Sequence, residues 1–253
     1  ESPTLTTEEK YALFSHVVKA AAGRVPVFAG TGGNNTRASV ELTKKAEEIG
    51  ADGAMVVAPY YNKPDQEGLY QHFKTIAEST SLPVMLYNVP GRTASNIAAE
   101  TTIRLSRLDN VIAVKEASGD LDQMSMIIRE TDEDFLLYSG DDGMTLPVLA
   151  IGGDGVVSVA SNVIGDDMQA LVNHYKLGNT KEAAKQHRRL LPLMRELFAA
   201  PSPVPVKTAL QMRGLDVGGV RLPLTPLNEA QRLSLQRVLN ITIEEPLQPH
   251  FDV

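Results

Sequence analysis

In the stretch VIAVKEASGD, residues 111–120, a lysine ends an apolar, β-branched run just before the turn-forming Ser118, Gly119 and Asp120. A run that is apolar on both faces reads as a buried parallel strand. Lysine is rarely buried there unless it is paired or functional. Burial disfavours the ammonium form and frees a neutral amine that can attack a carbonyl carbon. The alternative for Lys115 is an ammonium that reaches solvent from the strand end. One βα unit earlier, Tyr87 lies in the run LPVMLYNVP, residues 82–90. This places a phenol near the amine, at similar height on an adjacent strand. Schiff-base chemistry with a keto acid needs an amine and a group that moves protons as the carbinolamine collapses. Tyr87 also reads as a core tyrosine with a satisfied hydroxyl. Arg92 follows in NVPGRT, where a guanidinium is either a bidentate carboxylate clamp or a surface loop arginine. Glu116 points to the opposite face of its strand and is assigned no catalytic role.

Other chemistries find less support. The loop AGTGGNNT, residues 29–36, lacks the lysine of a phosphate-binding loop and the full dinucleotide spacing. Asp141 and Asp142 read as helix caps rather than metal ligands. His16, His72, His174, His187 and His250 show no pair at metal-ligand spacing, so neither a metal nor another cofactor is expected. The chain has no cysteine, which excludes disulfides and thiolate catalysis and fits a cytoplasmic setting. A net charge of −7 argues against nucleic acid as a partner. No apolar run is long enough to span a membrane.

The elements that must position Lys115 and Tyr87 alternate strand and helix every 20 to 30 residues or so, the pattern of βα units around a parallel sheet. Strands are expected at 24–32, 53–61, 82–90, 111–118, 135–142 and 155–162. Helices are expected at 7–22, 36–49, 65–79, 98–108, 121–130, 144–151 and 166–177. Beyond residue 180 only helices are expected, at 181–198, 205–213 and 228–239, separated by APSPVP and RLPLTP. The strands end in polar or glycine-rich chemistry: Tyr60-Tyr61-Asn62, Tyr87-Asn88, Lys115-Glu116, Ser139-Gly140-Asp141 and Ser161-Asn162 among them. A (β/α)8 TIM barrel collects such ends at one face, whereas an open sheet gathers ligands at one switch point. The expectation is therefore a TIM barrel over 1–178 (units three to eight), a helical appendage over 179–240 and a tail over 241–253. It requires that the first two strands be missing. Glu1-Ser2-Pro3 reads as the middle of a turn, so further residues are expected upstream.

Four motifs carry a resemblance: APYYNKP (58–64), YNVPGRT (87–93), VKEASGD (114–120) and GVVSVASN (155–162). In this order and spacing they resemble the dihydrodipicolinate synthase family, a branch of the pyruvate-dependent class I aldolases that also include N-acetylneuraminate lyase. The resemblance implies a lyase that condenses pyruvate with L-aspartate 4-semialdehyde to 4-hydroxy-tetrahydrodipicolinate, in lysine (diaminopimelate) biosynthesis. It implies that Lys115 forms the Schiff base with pyruvate, that Tyr87 is the acid/base hydroxyl beside it, and that Arg92 holds the carboxylate of the semialdehyde. Tyr61 matches the tyrosine that reaches into a neighbouring subunit's site. Gly140 and Val157 match backbone positions lining the pyruvate pocket. A homotetramer, built as a dimer of dimers, is implied as well.

Two departures bear on this reading. The threonine that links the two tyrosines in the family's proton relay precedes Glu1 and has no counterpart in the sequence. Where lysine-inhibited members carry two histidines and a glutamate, this chain has Thr7, Lys10 and Ala38, while Asn34 and Tyr60 are kept. Weak or absent lysine feedback is expected. The alternatives are a related sugar-acid lyase or 2-keto-3-deoxy sugar acid aldolase, and a non-catalytic truncated paralogue.

Overall fold

A computed structural model describes residues 1–244 of the chain. It divides into two compact units, one of Leu5–Asp141 with Ala150–Val157, the other of Glu1–Thr4, Asp142–Leu149 and the chain from Ser158 onward.

The first unit is built on a six-stranded parallel sheet in which each strand pairs with its neighbours in sequence order. The strands are β1 (Phe28–Gly30), β2 (Gly53–Val57), β3 (Val84–Asn88), β4 (Val111–Glu116), β5 (Leu136–Ser139) and β6 (Gly155–Val156). Between them run α1 (Thr7–Ala21) before β1, then α2 (Thr36–Ile49), α3 (Gln66–Ala77), α4 (Pro90–Thr93), α5 (Ala99–Leu105) and α6 (Leu121–Glu130). Local chemistry sets the helix starts. Asp65 accepts a hydrogen bond from the Gly68 N–H at 2.8 Å, and Asp120 one from the Gln123 N–H at 3.0 Å. Thr6 and Glu9 cap α1 reciprocally. Gly50, at φ 92°, ends α2 in the left-handed conformation that a side chain would disfavour. The core lies between sheet and helices. Helix α3 buries Leu69, Phe73 and Ile76, α5 buries Leu105, and α6 buries Met124 and Ile127.

The second unit carries α8 (Ser161–Lys176), α9 (Thr180–Glu196), α10 (Val204–Met212) and α11 (Glu229–Glu244); α7 (Thr145–Ala150) precedes β6. Helix α9 buries Leu190, Leu193 and Met194 and α11 buries Leu235 and Leu239. Arg189 on α9 joins three parts of the unit. It pairs with Asp167 of α8, donates to Gln186 Oε1 at 3.2 Å and reaches the carbonyl of Thr242 on α11 at 2.9 Å. Among the described residues no helix is long and apolar enough to cross a membrane.

Several expected boundaries are corrected. β2 ends at Val57, so Tyr60 and Tyr61 lie on a loop. Pro59 offers no N–H to a ladder, and Tyr61 adopts φ 72°. β6 is two residues long because α8 already begins at Ser161, so Ser161 and Asn162 are helical. Helix α8 contains a break at Ile164 (φ −130°, ψ 50°). The four-residue α4, which carries Arg92, has no counterpart in the sequence reading. On α1, Phe14 packs beside Ala29, Ala46 and Ala51, whereas Val17 remains exposed. At the carboxyl end α11 continues to Glu244, and the rest of the expected tail, 245–253, lies outside the described residues.

His72 of α3 is buried, its Nδ1 2.8 Å from the Thr36 hydroxyl and its Nε2 without a hydrogen-bond partner among the described residues. Burial lowers its pKa to about 4. In the unfolded chain a histidine takes up its proton near pH 6.5. The stabilisation is therefore complete above that value and is lost as pH falls from there to about 4. Within this window the loss approaches about 1.4 kcal/mol per pH unit. His72→Gln is expected to show a smaller drop in melting temperature between pH 7 and pH 5 than the unchanged chain, by about 3 °C. Equal drops in the two proteins would refute the assignment.

Candidate active site

The two residues singled out by their chemistry face each other. In the β3–β4 register Tyr87 pairs with Lys115 and Asn88 with Glu116; in the next pair Lys115 aligns with Tyr138 and Glu116 with Ser139. Paired residues of parallel strands share a face, and successive residues alternate. Tyr87, Lys115 and Tyr138 therefore lie on one side of the sheet, and Asn88, Glu116 and Ser139 on the other. The Lys115 Nζ stands 4.0 Å from the centroid of the Tyr87 ring, within cation–π range. Tyr87 is half-buried. Burial raises its pKa, and the positive charge of Arg92 partly offsets that rise. A phenol in this setting keeps its proton at neutral pH and is ready to donate it.

Arg92 reaches this place through α4. The residue before it in space is fixed by turns: the Arg92 N–H donates to the Val89 carbonyl at 2.9 Å, and the Thr93 hydroxyl donates to the carbonyl of Ser95 at 2.8 Å. Pro90 at the first helical position suits a turn that begins abruptly after a strand. The guanidinium is exposed and its charge acts on Tyr87.

Gly140 follows β5, its N–H donating to the Glu116 carbonyl at 2.7 Å. A β-carbon there would sit 3.1 Å from Lys115 Cε, 3.2 Å from Lys115 Cγ and 2.8 Å from the Ala117 Cβ. A side chain there would crowd both Ala117 and the lysine stem. Val157, half-buried at the end of β6, donates its N–H to the Ser139 carbonyl at 2.9 Å.

Tyr61 stands apart. It is 90% exposed, at φ 72°, and its side chain makes no hydrogen bond or ring contact among the described residues. Its loop is nevertheless held on both sides. Asn34 Nδ2 donates to the Tyr60 carbonyl at 3.1 Å, and Asn62 Nδ2 donates to the Asn34 carbonyl at 2.9 Å.

Asp142, read from the sequence as a cap, accepts instead from the Ala160 N–H at 2.9 Å. No group of three or more His, Cys, Asp or Glu placed to hold a metal ion occurs among the described residues. The sequence reading missed two features. Tyr138 shares the face of Lys115, a fact visible only once the β4–β5 register is known. The buried side chains of Asn88 and Glu116, 28 residues apart in the chain, interact behind the site and are joined there by the half-buried Gln123.

Lys115 and Tyr87 thus lie side by side at the ends of neighbouring parallel strands, with Arg92 on the helical turn just past one of them. The model of the dihydrodipicolinate synthetase family matches residues 1–242, and the chain belongs to that family. It is 65% identical over 240 residues to the 4-hydroxy-tetrahydrodipicolinate synthase of Bacillus velezensis, covering 95% of this chain and 83% of that protein. The enzyme of the same name from Bacillus subtilis is 64% identical over 241 residues, with the same coverage. Among solved structures, a dihydrodipicolinate synthase of Bacillus anthracis superposes with a TM-score of 0.93 at 60% identity, covering 94% of this chain and 82% of that one. The lysine-bound enzyme of Cyanidioschyzon merolae superposes with a TM-score of 0.94 at 47% identity, covering 95% and 82%.

The room at Gly140 yields a test independent of any substrate. Gly140→Ala is expected to slow labelling of Lys115 by an amine-reactive reagent about tenfold or more, because the new methyl group displaces the lysine stem. The labelled peptide is quantified by mass spectrometry. An unchanged labelling rate would refute the packing argument.

Proposed function

We infer that this chain condenses pyruvate with L-aspartate 4-semialdehyde to give 4-hydroxy-tetrahydrodipicolinate in lysine biosynthesis. The observation that carries this reading is the 65% identity over 240 residues to a synthase of that name. The facing of Lys115 and Tyr87 supplies a chemical rationale.

We further propose the following roles. The neutral amine of Lys115 attacks the ketone carbon of pyruvate, and the resulting carbinolamine loses water to leave a protonated Schiff base. Tyr87 donates the proton that lets the hydroxyl depart as water. Loss of a proton from the pyruvate methyl group gives an enamine, whose carbon attacks the aldehyde of the second substrate. The amine of that substrate then attacks the Schiff-base carbon, closes the ring and releases Lys115. Arg92 binds the semialdehyde carboxylate through its planar fork. The backbone at Gly140 and Val157 lines the space for pyruvate.

Tyr61 is proposed to act on a neighbouring copy in a homotetramer. A non-glycine residue at positive φ stores about 1–3 kcal/mol of backbone strain, and among the described residues this phenol gains no hydrogen bond or ring contact in return. The six strands are read as part of an eight-stranded (β/α)8 barrel, supported by their consecutive order and by the superposition on longer relatives. A cytoplasmic setting fits the absence of cysteine.

Borohydride reduction in the presence of pyruvate is expected to leave a pyruvate-derived mass on the peptide that contains Lys115. Arg92→Ala is expected to raise KM for the semialdehyde about tenfold or more while leaving that adduct intact. No adduct on the unchanged chain would sink the Schiff-base reading. Regulation provides a second test. Ala38 offers no carboxylate to a cationic effector, and Lys10 presents a like charge. Lysine at low millimolar concentration is expected to leave the rate unchanged, and substantial inhibition would refute this.

A further inference from the structure

We propose that a closed ring of hydrogen bonds among Asn88, Asn96, Gln123 and Glu116 is a positioning device. Built on the face of the sheet away from the amine, it sets the relative heights of Lys115, Tyr87 and Arg92. The inference rests on the reading of those three residues as the reacting site.

Glu116 and Asn88 are both fully buried. Asn88 Nδ2 donates to Glu116 Oε1 at 3.1 Å and Oε2 at 3.0 Å, and to Asn96 Oδ1 at 2.8 Å. Asn96 Nδ2 donates to Gln123 Oε1 at 2.9 Å. Gln123 Nε2 returns to Glu116 Oε2 at 2.9 Å and closes the ring. The Ser118 N–H also donates to Glu116 Oε1 at 2.8 Å, and Asn88 Oδ1 accepts from the Ile97 N–H at 3.0 Å. Every donor that these bonds bring to the carboxylate is an amide.

Two members sit beside residues of the site. Asn88 follows Tyr87 and Glu116 follows Lys115, and the two are register partners. Tying their side chains together therefore fixes the pairing that sets the amine against the phenol. Asn88 also grips Asn96 and Ile97, the far end of the segment that begins at Val89 and carries Arg92 on α4. Gln123 anchors the same ring to α6.

An apolar side chain of similar volume would fill this place with at least equal stability, since a buried charge must be compensated by its surroundings. A carboxylate that accepts from three directions gives what an apolar side chain lacks, which is one allowed arrangement of its partners. Glu116 does not touch substrate, because it faces away from Lys115. It is a positioning residue.

Glu116→Gln retains the shape but turns an acceptor into a donor facing the amides of Asn88 and Gln123. In the full chain, kcat is expected to fall about tenfold to a hundredfold, with KM for pyruvate changed less than about threefold, because the reacting groups are misplaced and not lost. The borohydride adduct on Lys115 still forms. Adding Asn88→Asp exchanges amide and carboxylate between the two strands and is expected to restore kcat about tenfold. If Glu116→Gln does not fold, Gln123→Ala removes one bond from the partly exposed side of the ring, and a kcat lowered about threefold or more is expected. The proposal is overturned if the folded variant keeps its kcat within about twofold, or if the exchange brings no recovery. An unchanged chain that forms no adduct overturns both this proposal and the Schiff-base reading. A wild-type adduct with an unaltered variant kcat overturns the positioning role alone.

Discussion

The pairing of β3 with β4 is the constraint on which the candidate site depends. Because side chains alternate along a strand, a slip of one residue would carry Lys115 to the far face and bring Glu116 into its place. Aliphatic side chains resist such a slip only through packing, and packing tolerates rearrangement. A buried carboxylate does not. Moved one residue, Glu116 would leave the amides of Asn88 and Gln123, each hydrogen bond to a charged group being worth about 1.5–3 kcal/mol. The register is thus held by an interaction whose alternatives are strongly penalised.

The same logic extends to the next strand. The Gly140 N–H donates to the Glu116 carbonyl, so the backbone that crowds the lysine stem is itself fixed to the residue after Lys115. Three neighbouring strands therefore place an amine, a phenol and a small residue without any of the three bearing the load of holding the others. Tyr87 and Lys115 are only half-buried and remain open to a substrate, while their neighbours in sequence are sealed from water.

Much of this was legible before any coordinates. An apolar β-branched run announces a buried strand, and a lysine at its end is conspicuous against that background. The alternation of 3.6 and 2-residue periods gave α2 and α6 with the boundaries they have, since Asn35 and Asp120 mark their starts chemically. Strand ends were harder. Tyr60 and Tyr61 look like strand residues by propensity, but β2 stops earlier, because Pro59 has no N–H to offer a ladder and the chain then turns through the left-handed Tyr61. Helix α4 is one turn long, too short for any period to reveal. Ser161 and Asn162 have no helical signature of their own, and α8 begins there regardless.

The residue that the sequence argument set aside shows most clearly what a sequence hides. The sequence puts Glu116 on the face opposite Lys115 and assigns it no catalytic role, and nothing local marks it as the centre of a network. Its exposure is zero. Its side-chain partners come from positions 88 and 123, with Asn96 linking the two, separations along the chain that carry no local pattern, and none of the three has a charge to advertise a pairing. Adjacent residues on one strand thus meet opposite demands. Lys115 stays half-buried, and Glu116 sits in a dry setting where amides satisfy its carboxylate. A parallel strand meets both because its two faces lie in different environments, one residue apart.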